Sequence, residues 1–322
     1  MSLPVSHENP RVAWLPYADV AEAEARTGGL PDGVRVDCFL DDGSWPDSLA
    51  EVEFLVVPYL KGPEVLRRAE EMTSLQVVQT LTAGVENYVP KVPHGVQLCN
   101  AAGVHDASTA ELALALALAS GRHLDVYARQ QTTGTWKPRF GSSLADKHVL
   151  IIGYGHIGEA IDARLSGFEV GSVTRLARRA REGEPAGRAI DDLHEVLPQA
   201  EVVFVLAPHT PQTEGLLGAA ELALLPDDAL LVNVARGKLV DTDALVAETS
   251  SGRIRAALDV TEPEPLPQDH PLWRTPGVII APHVGGASSA FWPRSDRLIA
   301  AQLRRFAAGK PLENVITSGG PE

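Results

Sequence analysis

Four side chains with chemical potential follow short apolar runs in the second half of the chain. Arg236 follows LLVNVA, Glu262 and Glu264 come shortly after AALDV, and His283 follows VIIAP. A guanidinium can hold a carboxylate through two parallel charge-assisted hydrogen bonds. An imidazole can give a proton to a carbonyl oxygen and take it back in the reverse direction. A carboxylate bonded to that imidazole favours its protonated form, and spacing alone leaves Glu262 and Glu264 both open for this role. Taken singly, each residue is ordinary: a surface arginine, a solvated glutamate in a Pro-rich loop, a satisfied histidine. Their shared position is the stronger signal, because open parallel sheets bind ligands at the carboxyl ends of their strands.

A second constellation lies upstream. In KHVLIIGYGHIG the apolar run 148–152 leads into Gly153, Gly155 and Gly158 at the spacing G-x-G-x-x-G, and Ile157, Ile161 and Leu165 then recur at helical steps. The first glycine permits a tight turn, the second lets a pyrophosphate approach the backbone, and the third lets helix and strand pack closely. His156 and Ile157 open a helix whose N-terminal N–H groups and dipole suit phosphates. A dinucleotide cradle, an arginine clamp and a histidine proton donor fit one reaction: hydride transfer between a nicotinamide and a 2-keto or 2-hydroxy acid.

The end of the next strand, expected within 170–177, bears on the cofactor. An NAD site usually carries Asp or Glu there for the ribose hydroxyls. Here the run is VGSVTRLARRA, with no carboxylate from 170 to 180 and with Arg175, Arg178 and Arg179 clustered beside Thr174. A solvated basic loop is the plain alternative, but guanidinium groups attract a 2′-phosphate, so NADP(H) is expected in preference to NAD(H). His209 in the PHT turn and Ala235 beside Arg236 are further candidate cofactor contacts.

These residues need a scaffold, and the chain supplies one in two parts. Apolar runs at 12–15, 34–40, 54–58, 75–80 and 96–100 read as strands, with a helix over 65–72 between two of them. Further strands are expected at 202–206, 230–234, 256–259 and 278–280, alternating with helices such as 192–197 and 243–249. This alternation predicts α/β architecture with parallel sheets covered on both faces. The loop Thr82-Ala83-Gly84-Val85 follows a strand, so Ala83, Gly84 and Val85 are candidate backbone contacts to a substrate carboxylate. Ser108 with Glu111 has capping-box spacing and predicts the start of a helix, ELALALALAS, apolar enough to be buried.

Composition narrows the partners. The 322 residues fit two domains, and a net charge of -14 argues against nucleic acid or an anionic membrane as a general partner. Cys38 and Cys99 form no metal or disulfide pattern, so no metal is expected. Without a leader-like start or a long apolar span, a cytoplasmic protein is expected.

Several ordered motifs, NAAGVHDASTAEL, VLIIGYGHIG, PHTPQTEGLL, NVARGKLVD, ALDVTEPEP and APHVGG, make the chain resemble the D-isomer-specific 2-hydroxyacid dehydrogenase family over nearly its whole length. The resemblance implies a catalytic triad of Arg236, Glu264 and His283, so it selects Glu264 over Glu262. It implies a contact from Asp259 to the cofactor carboxamide and a homodimer with the helix near 108–129 in its interface. It also implies that the last helix, near 295–308, completes the first domain. The expected domains are then a flavodoxin-like substrate (lid) domain, 1–101 with 290–322, and an inserted Rossmann domain, 102–289, that close over substrate. Trp292 is a candidate for the substrate pocket. Thr261 departs from the aromatic residue often found after ALDV in the family, as the basic strand end departs from the usual acidic determinant.

The expected function is an NADP(H)-preferring reductase of a small 2-keto acid such as glyoxylate or hydroxypyruvate. The alternative of another class is a corepressor-like protein that senses a dinucleotide through assembly. A formate dehydrogenase of the same fold is disfavoured, because that branch is expected to use a neutral amide where Glu264 stands.

Overall fold

β-branched runs and helical stretches alternate along the chain, and the computed structural model, which describes residues 10–183 and 185–316, turns that alternation into two parallel sheets. The elements begin with β1 (Arg11–Leu15), α1 (Val20–Thr27), β2 (Val34–Cys38), β3 (Val52–Val56), β4 (Val77–Gln79) and β5 (Gln97–Cys99). Next come α2 (Asp106–Gly121), α3 (Leu124–Thr132), β6 (His148–Ile152), α4 (His156–Leu165), β7 (Ser172–Ala177), β8 (Arg188–Ala189) and α5 (Leu193–Val196). They are followed by β9 (Val202–Val205), α6 (Ala219–Leu224), β10 (Leu230–Asn233), α7 (Thr242–Ser250), β11 (Arg255–Leu258), β12 (Val278–Ile280), α8 (Phe291–Ala307) and β13 (Val315–Ile316). Residue contacts divide the chain into one unit running to His105 and resuming at Ser289, and a second, Asp106–Ser288.

In the first unit the strand order is β13-β5-β4-β3-β1-β2, parallel throughout except for β13, which pairs antiparallel with β5. The order 2-1-3-4-5 is that of flavodoxin-like sheets. Strand alternation divides the core: Ala13, Leu15, Phe54 and Val56 pack with Phe291, Ile299 and Leu303 of α8, while Val12, Trp14, Leu55 and Val78 form the other face. The expected helix over 65–72 is instead two 3₁₀ turns, Pro63–Leu66 and Ala69–Glu71. Arg68 separates them with φ -112° and ψ 19°, so the apolar residues Val65, Leu66 and Met72 are buried without a continuous helix.

In the second unit the order is β12-β11-β10-β9-β6-β7-β8, every pair parallel. Counted within the unit this is 3-2-1-4-5-6 with one strand added, the dinucleotide-binding order, and the connection reverses direction between β6 and β9. Val149, Ile151, Phe204 and Val232 face Ala113, Leu114 and Ala117 of α2 and Ile161 of α4; Leu150, Ile152, Val203 and Leu231 face the other layer.

Two helix expectations are corrected. The buried helix begins at Asp106, so Ser108 lies inside its first turn and its hydroxyl meets that of Ser288 at 2.6 Å instead of capping. It also ends at Gly121, where a Cβ would stand 2.7 Å from the Ser142 carbonyl oxygen, and α3 restarts after His123 at φ 56°. Among the described residues no helix is long and apolar enough to cross a membrane.

Candidate active site

The three glycines of the turn meet three different environments. Gly153 has φ +100°, and a Cβ there would lie 2.4 Å from the Ala207 nitrogen, so both conformation and space exclude a side chain. A Cβ on Gly158 would meet the Gly153 carbonyl oxygen at 2.7 Å, which reflects the close seating of α4 on its strand. Gly155 has nothing within 4 Å of its Cβ position. That open space stands before the first turn of α4, between the ends of β6 and β9, so the backbone fits a pyrophosphate there. His156 and Ile157 form the first turn of α4, and the His156 ring is 3.7 Å from Asp106. His209 lies in the loop after β9, 3.4 Å from Glu214.

The arginines at β7 do not act alike. Thr174 and Arg175 lie within the strand, and Arg175 shares the face of Val173 and Ala177, which pack on the α4 side. Its Nε and Nη2 donate to the two carboxylate oxygens of Asp162 on α4, at 2.7 and 2.9 Å. Arg175 is therefore not one of the free cations at the strand end that its sequence position suggested. Arg178 and Arg179 follow the strand, are exposed, and make no side-chain hydrogen bond or ion pair among the described residues. Asp162 was missed in the sequence because nothing in a 13-residue separation marks its pairing with Arg175.

Arg236, Glu264 and His283 stand beyond the ends of β10, β11 and β12, three neighbouring strands. His283 Nδ1 donates to Glu264 Oε1 at 2.5 Å, since an ionised carboxylate only accepts. The structure thus pairs the histidine with Glu264 and not with Glu262. His283 adopts φ 52°, a left-handed conformation uncommon for a residue with a side chain. Its loop is braced by Asp259: His283 N–H donates to the Asp259 carbonyl at 2.8 Å, while Val284 and Gly285 N–H donate to the two carboxylate oxygens at 2.7 and 2.9 Å. Burial pushes the Asp259 carboxyl above the usual carboxylate range, against the pull of those two donors.

Arg236 is held from both sides of its loop. Asn233, buried at the end of β10, donates from Nδ2 to the Arg236 carbonyl at 2.9 Å and accepts from Ala235 N–H at 3.0 Å. The Arg236 Nη1 donates to the Ala235 carbonyl at 2.7 Å. Behind it, Gly237 presses against the strand of backbone that leads to Glu264: a Cβ would be 2.0 Å from the Thr261 carbonyl oxygen. Thr261 itself is buried, its hydroxyl donating to the Pro263 carbonyl at 2.9 Å.

In the first unit, the loop of Ala83, Gly84 and Val85 is fixed through its carbonyls by Asn100 Nδ2, at 2.8 Å to Ala83, and by Thr82 Oγ1, at 3.0 Å to Gly84. The N–H groups of Ala83, Gly84 and Val85 have no acceptor among the described residues. Trp292 opens α8, half exposed, with the Arg26 guanidinium 4.6 Å above its ring and Phe291 and Tyr59 at its edge. No cluster of metal-binding side chains occurs among the described residues.

A parallel sheet with a glycine turn at its switch point, and a charge-paired histidine at neighbouring strand ends, defines a nicotinamide-dinucleotide oxidoreductase. Comparison with known proteins gives the family. Residues 114–285 match the model of the D-isomer specific 2-hydroxyacid dehydrogenase, NAD binding domain. D-3-phosphoglycerate dehydrogenase of Methanocaldococcus jannaschii is 31% identical over 278 residues, 84% of this chain but 52% of that protein, so the chain spans about half the length of this relative. Human glyoxylate reductase/hydroxypyruvate reductase is 32% identical over 249 residues, 74% of this chain and 76% of that one. The crystal structure of a D-isomer specific 2-hydroxyacid dehydrogenase from Xanthobacter autotrophicus Py2, in complex with NADPH and MES, superposes with a TM-score of 0.78 at 28% identity, covering 96% of this chain and 98% of that one. The chain belongs to the D-isomer-specific 2-hydroxyacid dehydrogenase family.

Proposed function

We propose that the protein reduces a small 2-keto acid of the glyoxylate or hydroxypyruvate kind to the corresponding 2-hydroxy acid, D where that carbon is stereogenic, with NADPH preferred over NADH. The observation that carries this reading is the 2.5 Å bond between His283 Nδ1 and Glu264 Oε1 at the strand ends of a dinucleotide-binding sheet. Because Glu264 occupies Nδ1, Nε2 is the nitrogen left to face a substrate. The bound nicotinamide supplies the hydride. His283 Nε2–H gives its proton to the carbonyl oxygen, Glu264 holds the ring through Nδ1–H, and Arg236 holds the substrate carboxylate through two N–H donors. Gly153, Gly155, His156, Ile157 and Gly158 hold the pyrophosphate, with His209, Ala235 and the 259–285 segment alongside.

Three observations support NADPH. The strand end lacks a carboxylate from 170 to 180, Arg178 and Arg179 are exposed and unpaired among the described residues, and the Xanthobacter relative holds NADPH. In the first unit the N–H groups of Ala83, Gly84 and Val85, without an acceptor among the described residues, suit an anionic group. The protein assembles as a homodimer, a reading supported by Trp136 and Phe140, which stand fully exposed after α3. The test is cofactor oxidation, followed at its near-ultraviolet absorbance, with purified protein, NADPH or NADH, and a panel of 2-keto acids. Turnover of a two- or three-carbon acid with a higher kcat/KM for NADPH is expected; absence of turnover with every acid would refute the catalytic reading.

A further inference from the structure

Tyr154 is the residue between the first two glycines of the turn, and it is anchored by charge. Its hydroxyl donates to Asp162 Oδ2 at 2.6 Å, the same carboxylate that receives both bonds from Arg175. The Arg175 guanidinium lies 5.8 Å and the Arg181 guanidinium 5.6 Å from the centre of the Tyr154 ring, and Arg181 is itself paired with Glu159 on α4 at 3.1 Å. Tyr154 is 6% exposed, and the side chains of Asp162 and Arg175 are 12% and 21% exposed. Three segments thus meet at one carboxylate: the glycine turn, α4 and β7. The sheet alone does not require this. Main-chain bonds from Gly153 and Tyr154 to the Leu176 carbonyl already tie the turn to β7, so the side-chain network fixes something further, the placement of the Tyr154 side chain and the backbone on either side of it.

We propose that Asp162 is a positioning residue for the dinucleotide: through Tyr154 and Arg175 it sets the backbone around Gly153 and Gly155 that receives the pyrophosphate, a part shared by NADH and NADPH. This rests on the dinucleotide reading of the turn, and it separates the arginines by task. Arg175 and Arg181 are consumed by Asp162 and Glu159 on α4, whereas Arg178 and Arg179 carry no partner among the described residues and are left to read a 2′-phosphate. Arg175 cannot do both. Its guanidinium is committed to the α4 face by two bonds in the planar fork geometry that gives Arg–carboxylate pairs their directionality.

The experiment compares steady-state kinetics with NADPH and NADH for Asp162→Asn, Tyr154→Phe and Arg178→Gln, with thermal midpoints measured alongside. Asp162→Asn keeps the shape and removes the charge; Tyr154→Phe removes only the hydroxyl and leaves the Asp162–Arg175 pair, so it stays informative if Asp162→Asn folds poorly. Both are expected to raise KM for the two dinucleotides by the same factor, about fivefold or more, with kcat within about twofold of wild type. Asp162→Glu should recover part of the affinity. Arg178→Gln should raise KM for NADPH alone. Unchanged KM values in Tyr154→Phe, or a selective gain in NADPH affinity in Asp162→Asn, would overturn the proposal, the second by showing that Arg175 can be released to the 2′-phosphate. An equal response of both cofactors to Arg178→Gln would instead defeat the NADPH reading and leave the role of Asp162 standing.

Discussion

At the scale of single residues, the pairing of His283 with Glu264 decides what the site can do. An imidazole with one nitrogen bound to a carboxylate has its tautomer and orientation fixed, and the other nitrogen is left to exchange a proton. His283→Ala should lower kcat for keto-acid reduction by ~10²–10⁴, the usual contribution of a positioned acid, with cofactor KM nearly unchanged. Glu264→Gln keeps a hydrogen bond but removes the charge, so a smaller loss, about tenfold, is expected in kcat. A Glu264→Gln enzyme as active as wild type would show that the charge is irrelevant to the chemistry. The positions of Arg236 and His283 were legible in the sequence because each follows an apolar run. The choice between Glu262 and Glu264 was not legible from spacing, since a Pro-rich loop has no period to say which side chain turns inward. Contact with His283 is what separates them. Thr261, a departure from the family pattern, is accommodated through a hydroxyl bond to Pro263 and a main-chain contact with Gly237.

At the scale of elements, strands were easier to anticipate than helices. A buried parallel strand announces itself by an unbroken apolar run, as at 149–152, 202–205 and 230–232. The 65–72 segment offered apolar residues near helical spacing, but Pro63 at its start and the break at Arg68 left only short turns. The long helix divides after Gly121, where His123 takes φ 56°, and the Ser142 backbone lies where a Gly121 side chain would be, a tertiary fact invisible locally. Two predictions belong here. Gly237→Ala places a methyl group within the Thr261 carbonyl, so the Arg236 loop must shift away from the Glu264 segment. Substrate kcat/KM should fall at least about tenfold while cofactor binding, read by fluorescence titration, persists; a kinetically silent Gly237→Ala would show that the loop tolerates the shift. The tie between β7 and α4 has a pH signature. Burial raises the Asp162 carboxyl, but the bonds from Arg175 and Tyr154 outweigh it and hold it below the usual carboxylate range. A depressed folded-state value contributes stability above the unfolded value, near ~4, and that contribution is lost as pH falls through the folded value. The stability gap between wild type and Asp162→Asn in urea should therefore be wide at pH 7 and close progressively below about pH 4. A gap independent of pH would mean that the carboxylate charge is not what stabilises the tie.

At the scale of the whole molecule, the question is whether the chain meets a second copy of itself. Parallel pairing was legible, because strands and helices alternate, whereas the strand order comes from the structure, and assembly is written in exposed side chains whose neighbours a sequence does not name. Trp136 and Phe140 have 96% and 103% of their surface in water, and Leu124 at the start of α3 is half exposed. Large aromatics held in solvent cost hydration free energy that a partner surface relieves. A two-fold dimer uses each residue twice. Burying about 150–250 Å² per ring, these two positions would together supply roughly 600–1,000 Å², about half of a standard interface of about 1,600 Å². Removing them should then matter more than any rim charge. Wild-type protein is expected to sediment as a dimer at micromolar concentration, and Trp136→Ser with Phe140→Ser as a monomer whose far-ultraviolet circular dichroism matches wild type. Since both residues lie on the surface, the substitutions leave the cores of α2 and β6 untouched and should not unfold the chain. A monomeric wild type would end the dimer proposal outright. A double variant that remains dimeric would move the interface elsewhere and leave the exposure of these rings without a partner to explain it.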